Sequence, residues 1–228
     1  EGGGNTVGGA IGGDGNLIAF NGSRGVVVFS NSTGNRILGN TIHSNANLAI
    51  DLGGDGATLN DNGDVDLGAN DKQNFPVLLS ATNSGGTTGV ETDLSSFAAG
   101  QYTLQFFASA TCDANGNSRS ERLAGSFDLV DAGGVQPFQL SPTLAASEYI
   151  TATATDAAGN TSELSPCFIQ ADVVPTVVIN TNNGGSGSLR NAIAYANTAP
   201  GTQTITFNIP GAGPHVIVVR PKSFAAEP

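Results

Sequence analysis

Between Asp51 and Asp71 the chain reads DLGGDGATLNDNGDVDLGAND, which holds six of its thirteen aspartates: Asp51, Asp55, Asp61, Asp64, Asp66 and Asp71. Carboxylate and amide oxygens spaced along a glycine-bent loop suit a hard cation. The set Asp61, Asp64, Asp66, Asn70 and Asp71 therefore reads as a Ca²⁺ site. It is not an EF-hand, because the spacing differs and no glutamate stands at the twelfth position. A solvated acidic loop held by side-chain-to-backbone turns is the competing reading of the same residues, and at this point both stand. Paired carboxylates also raise polysaccharide cleavage. Such chemistry needs acids projecting from strands along a groove, whereas most of these sit in one loop. His43 in NTIHSN and His215 in GPHVIVV have no nucleophile motif beside them, so neither suggests a triad or a metal ligand. GGDG and GGSGS lack the lysine and helix context of a phosphate loop. No residue set reads as catalytic, and the expectation is a protein that is not an enzyme.

The elements that would position these residues follow from composition and repeats. With 228 residues, 39% of them hydrophobic, the chain can build one or two cores. Glycine is abundant at 32, and methionine and tryptophan are absent. That vocabulary favours strands and turns over helices. A net charge of −11 argues against nucleic acid or an anionic membrane as partner. No apolar run reaches the roughly 20 residues of a membrane span. Glu1 is no initiator, so the chain reads as a processed form or a piece of something longer. Cys112 and Cys167, with no histidine placed to assist either, are expected to pair as a disulfide. The bridge would be worth about 4 kcal/mol in the chain-entropy model and points to a compartment outside the cytoplasm.

Three segments emerge. In residues 1–79, GNTVGG at Gly4, GNLIAFN at Gly15, GNRILGN at Gly34 and GNTIHSN at Gly39 are related. The longer pair aligns Asn16 with Asn40, Ile18 with Ile42 and Asn21 with Asn45, an offset of 24 residues. Each unit is followed by another short strand, GVVVF or LAIDL. A period of three short strands separated by Gly/Asn/Ser turns is the pattern of a β-solenoid coil, with isoleucine and valine stacked inside and asparagines laddered at the corners. About two coils fit, followed by the acidic cap loop. In residues 80–170, QYTLQFFASA, SRSERLAGSFDLV, VQPFQLSP, EYITATATD and SPCFIQ alternate apolar and polar positions, as in a small antiparallel β-sandwich. Residues 171–228 open on the linker-like ADVVPT and carry the strand TVVIN. A helix follows, capped by Ser186 or Ser188, with Leu189, Ala192, Ile193 and Ala196 on one face. QTITFNI and HVIVV close the segment as strands. Alone this last segment would bury little.

SGSLRNAIAYANTAPGTQTITFNIPGAGPHVI resembles the opening of large bacterial surface proteins built on right-handed parallel β-helix repeats, in which a strand, an SLR-x-AI helix and TITF form the N-terminal cap. GNTIHSNANLAIDLGGDG and NDNGDVDLGANDKQNFPVL resemble the closing coils and C-terminal cap of the same family. FFASATCDANGN with ITATATDAAGNTSELSPCF is similar to the Ig-like module that follows that cap. The order is reversed here: the closing coils stand first and the opening cap last. The resemblance implies an all-β fold: a short right-handed parallel β-solenoid, an Ig-like sandwich, and a cap segment with one short helix. It also implies an extracellular, structural or adhesive role at a cell surface.

The reversed order predicts complementary surfaces. The first coils would present an open solenoid face, and the last segment a cap with nothing beneath it. A cap that docks on the coils of the next molecule gives a head-to-tail homopolymer, a filament or surface layer. The contact would use Val7, Ile11, Leu17 and Ile18 on one side and Val177, Ile179, Leu189, Ile193, Ile205 and Phe207 on the other. Fold-back onto the same chain, or covalent neighbours in a longer array, are the other two arrangements. An adhesin-type module recognising a glycan or cell surface is the alternative function, weakened by an aromatic content of 6%. Sequons at Asn21, Asn31 and Asn160 are candidate glycosylation sites.

Overall fold

The computed structural model describes residues 2–9, 13–29, 31–84, 86–112, 118–130, 133–141, 143–145, 147–169, 176–181, 187–198, 201–211 and 213–218. Among these residues the protein is all-β apart from one ten-residue helix. The chain divides into two compact units, Glu1–Gln170 and Ala171–Pro228.

The first unit begins with two tiers of short strands. β1 (Thr6–Gly8), β2 (Leu17–Ala19) and β3 (Val26–Val28) form one tier. β4 (Arg36–Leu38), β5 (Thr41–His43) and β6 (Ile50–Leu52) form the next. They pair in parallel as β1–β4, β2–β5 and β3–β6. Ile18 stands opposite Ile42 and Val26 opposite Ile50, the 24-residue offset of the repeat. β1 is the exception: Val7 stands opposite Ile37, because the stretch joining β1 to β2 is longer than its counterpart between β4 and β5. The corners are tight. A Cβ on Gly15 would collide with the Gly39 carbonyl of the tier below, which is why glycine stands there. At the equivalent corners Phe20 and Ser44 both take left-handed backbone, with φ of 60° and 54°.

Asparagines tie the tiers together in one repeated geometry. Asn16 donates both its backbone N–H (3.0 Å) and its side-chain amide (3.0 Å) to Asn40 Oδ1. Asn21 does the same to Asn45 Oδ1, at 3.1 and 2.8 Å. Asn5 donates to Asn35 Oδ1, and Asn35 in turn to Asn70 Oδ1, so one ladder runs three deep. Asn70 is fully buried and lies in a left-handed turn of three successive residues, Asn70, Asp71 and Lys72. Such a run is costly for side chains with a Cβ. Bonds from Asn70 Nδ2 to the carbonyls of Asn35 and Thr161 hold it.

Two antiparallel sheets follow. β7 (Val77–Ser84), β8 (Thr87–Asp93) and β11 (Val135–Leu140) make one, in the order β11-β8-β7. β9 (Gln101–Ser109), β10 (Arg122–Val130), β12 (Tyr149–Asp156) and β13 (Phe168–Ile169) make the other, in the order β10-β9-β12-β13. They face one another across a single apolar core of Val90, Phe138 and Leu140 against Leu104, Phe106, Ile150 and Ala152. Strand formation follows from the alternation at Tyr102, Leu104 and Phe106. The hairpin β7–β8 is an element that the strand reading of the sequence did not name, and β7 straddles the expected boundary at residue 79/80. A second core joins the tiers to the sheets, with Ile37, Ile42, Ile50 and Leu52 packed against Phe107 and Leu164. The first two sequence segments thus share one compact unit. Cys112 and Cys167 form a disulfide.

In the second unit β14 (Val177–Val178) pairs in parallel with β15 (Thr206–Phe207). Helix α1 (Leu189–Thr198) lies between them in sequence. Ser188 caps it, its Oγ accepting from Asn191 N at 3.2 Å. Ala192 is buried on the helix and Val178 on the strand, while Ile193 is 45% exposed.

Candidate functional site

Two regions hold the residues singled out by the sequence. The first is the acidic loop. Asp61, Asp64 and Asp66 bring carboxylate oxygens within 4.8 Å of one another, a cluster that could hold a metal ion. The loop is fixed by amide bridges. Asn60 and Phe75 bond reciprocally, Asn60 Nδ2 donating to the Phe75 carbonyl (2.7 Å) and Phe75 N–H to Asn60 Oδ1 (3.0 Å). Asn74 receives the Asp61 N–H on its Oδ1 and donates to the carbonyls of Asp61 and Ser96. Asp64 turns through a left-handed φ of 54°. Its two oxygens accept from Asn74 N–H and Gln73 Nε2. Asp61 Oδ2 accepts from the Val65 N–H. By contrast Oδ1 of Asp61 and Oδ1 of Asp66 are buried and have no hydrogen-bond partner. Buried carboxylate oxygens without donors are costly, and a cation would satisfy them.

The electrostatics agree. Burial pushes the Asp64 carboxyl up to about 6, partly offset by the Asn74 N–H and reinforced by repulsion from Asp61 and Asp66. Burial raises Asp66 as well, with Asp61 adding to it. A divalent ion among the three would reverse both effects.

The other predicted ligands lie apart in role. Asn70 serves the asparagine ladder, and Asp71 Oδ2 accepts from Asn160 Nδ2 at 3.3 Å. Asp51 is fully buried, ion-paired to Arg24 and accepting from Gly54 N–H. Asp55 faces Lys72.

The second region is the pair of tier edges, and the two differ. The outer edge of β4–β6 is sealed by the sheets. Ile42 and Ser120 exchange backbone bonds, the Ile42 N–H donating at 2.8 Å and the Ser120 N–H at 2.9 Å. Ile37 N–H donates to Thr161 Oγ1, Gly39 N–H to Gln105 Oε1 and Gly34 N–H to Asn160 Oδ1. Leu52 N–H donates to Oε1 of Glu163, whose carboxyl is raised by burial. β1, β2 and β3 pair on one edge alone among the described residues. Above them opens an apolar cavity of about 360 Å³ lined by Val7, Val26, Val28, Phe29 and Ile37. Leu17 and Phe20 are 69% and 80% exposed.

Of the predicted contact residues, Val7 lies in β1, and Ile18 packs partly buried on the second core. Ile11 lies outside the described residues. Val177, Ile179, Leu189 and Ile205 are half-buried in the second unit, and Phe207 is exposed. Asn31 is exposed. Asn21 is also exposed but spends its amide on the ladder, and the buried Asn160 amide donates to Asp156. The sealing residues Gln105, Ser120, Thr161 and Glu163 went unnoticed in the sequence. Gln105, a polar residue within the apolar run LQFFA, carried a signal; Ser120, Thr161 and Glu163 lie in polar stretches that carry none. No protein-family model matches the chain, and no curated protein compared with it is similar.

Proposed function

We propose that the protein is a non-catalytic structural subunit of an extracellular filament or surface layer, built on a short right-handed β-solenoid and an Ig-like sandwich. The segment 171–228 serves as the cap that docks on the first coil of the next subunit. The observation that carries this reading is the one-sidedness of pairing: Gln105 of β9 and residues of the stretches flanking β10 and β12 seal one tier edge, while among the described residues β1–β3 offer theirs beside an apolar cavity. Such an edge takes up another strand. A contact between two different surfaces of one chain does not close on itself by a two-fold axis, so it propagates as a filament unless its rotation closes a ring.

The disulfide supports an extracellular location. Among the described residues no helix is long and apolar enough to cross a membrane. Ca²⁺ at Asp61, Asp64 and Asp66 would brace the loop beside the sheets. The kinship is with the bacterial β-helix surface proteins that the motifs resemble.

Electron microscopy and sedimentation of the full chain, beside a chain ending at residue 169, test the reading. Filaments from the full chain and compact monomers from the shorter one are expected. Fibres from the shorter chain would remove the cap from the joint. Monomers of the full chain at every concentration would leave an adhesive module as the better account, to be probed on a glycan array.

A further inference from the structure

We propose that the joint has a defined register: the stretch Thr204–Thr206, which runs into β15, pairs in parallel in one copy with β2 of a second copy, with Thr204 opposite Leu17, Ile205 opposite Ile18 and Thr206 opposite Ala19. The inference rests on the head-to-tail reading above and adds which strands meet and how.

In the parallel pairs among the described residues an N–H donates to the residue before its partner on the other strand. Thr41 N–H donates to Asn16 O, and Thr206 N–H to Thr176 O. Within β5, Ile42 turns its backbone groups away from β2, toward Ser120. By the two-residue period of a strand, Ile18 then serves β5, and Leu17 and Ala19 turn to the open edge. In β15, Thr206 and Asn208 donate back to β14. Ile205 and Phe207 therefore turn to the other edge, which has no strand partner among the described residues. The far side of β14 is occupied by the Gly187 carbonyl, which accepts from Ile179 and Asn180. So β15 offers an edge toward a later strand, β2 offers one toward an earlier strand, and the two polarities are complementary.

Phase then selects the register. With Ile205 opposite Ile18, Ala19 N–H meets the Ile205 carbonyl, and Ile205 N–H meets the Leu17 carbonyl. A shift by one residue would turn the bonding groups of β15 back toward β14. The side chains agree with this phase. Gln203–Asn208 reads QTITFN, Asn16–Asn21 reads NLIAFN, and Asn40–Asn45 reads NTIHSN. Ile18 and Ile42, at the third position of their segments, already stand opposite one another. Ile205 at the same position would extend that stack by one rung. Phe20 packs edge-on against His43 and is otherwise exposed, and Phe207 is 58% exposed. The pairing brings both rings to one seam. The asparagine ladder does not continue through Asn208, whose N–H is spent on Val178 O. The occupant is a second copy: among the described residues β2 pairs with β5 alone and β15 with β14 alone, so each chain carries both the NLIAFN edge that faces an earlier strand and the QTITFN edge that faces a later one.

The test is a double variant of the full chain, Leu17→Cys with Thr204→Cys, at two exposed positions. Directly opposed residues in adjacent strands lie about 4.8 Å apart, within the Cα separation a disulfide spans. Mild oxidation should convert the single band of the unsubstituted chain into a covalent ladder on a non-reducing gel, with a 17–204 bond in the peptide map. Mixing the two single variants should give the same bond between chains. Filaments that lack this bond but form it in Leu17→Cys with Thr206→Cys would overturn the register and leave head-to-tail assembly standing. A 17–204 bond inside monomers would overturn the second copy as occupant. Chains that stay monomeric with both thiols free at every concentration would overturn register and assembly together.

Discussion

Asn40 shows how much one side chain can carry between stacked strands. It is 3% exposed. Its Oδ1 accepts twice from Asn16, and its Nδ2 donates to the Val7 carbonyl at 2.8 Å. Truncation removes these three bonds; Asn16 is exposed and Val7 half-buried, so water takes up part of the loss, and each bond is worth about 0.5–1.5 kcal/mol net. Asn40→Ala should therefore lower unfolding stability by about 2–4 kcal/mol, read from the midpoint of denaturant unfolding. Asn40→Asp keeps the Oδ1 acceptor that takes both Asn16 bonds and loses the donor to Val7 while placing a charge beside the ladder, so it should not rescue the loss. Full stability in Asn40→Asp would mean that the donor bond contributes nothing. The repeat made this residue legible, because Asn16 and Asn40 fall in one column. Asn70 was legible only as a cation ligand. Its place as the third rung below Asn5 and Asn35 depends on the left-handed turn that carries it back beneath the tiers.

The acidic loop is an element whose behaviour depends on pH. The folded-state pKa of Asp64, about 6, lies above its unfolded value of 3.8 because burial and like charges disfavour ionisation. The folded state therefore binds this proton more tightly, so without a metal the contribution of Asp64 to stability falls as pH rises through that window. A cation needs the ionised group, so Ca²⁺ should stabilise most above about pH 6 and progressively less below it. Asp64→Asn should remove both effects: the calcium-dependent rise in melting temperature and the difference in pH profile from the parent. An unchanged calcium shift in Asp64→Asn would place the ion elsewhere. At this scale the sequence was legible where a strong period or a compound motif existed: β2 and β5 at their offset, α1 behind Ser188, and the alternating β9 and β12. The β7–β8 hairpin, VLLSATNSGGTTGVETD, was missed because its small and polar residues give little contrast between faces. The shared core of tiers and sheets was missed because Phe107 of β9 packs on the tiers rather than on the core between the sheets, and Leu164 joins it from the stretch between β12 and β13, which no single-strand pattern reveals.

For the whole molecule the governing quantity is charge. The chain carries 8 Lys and Arg against 19 Asp and Glu, a net −11. Subunits joined head to tail would set these fields side by side, while the seam itself, from Leu17, Ile18 and Phe20 to Ile205 and Phe207, carries no charge. Attraction at the joint is therefore apolar and strand-to-strand, and repulsion between subunits is long-range. Salt weakens the second and spares the first, since the screening length falls from about 30 Å at 0.01 M to about 10 Å at 0.1 M. The polymer fraction at neutral pH should accordingly rise with NaCl over that range and then level off, as read by sedimentation. It should also rise as pH falls toward the pI near 4.2, where carboxylates lose charge. Equal ionic strengths of NaCl and CaCl₂ separate screening from site binding: a further gain with calcium that Asp64→Asn abolishes belongs to the acidic loop. A polymer fraction that falls with NaCl would mean that opposite charges hold the joint, and the apolar seam would then be the wrong interface.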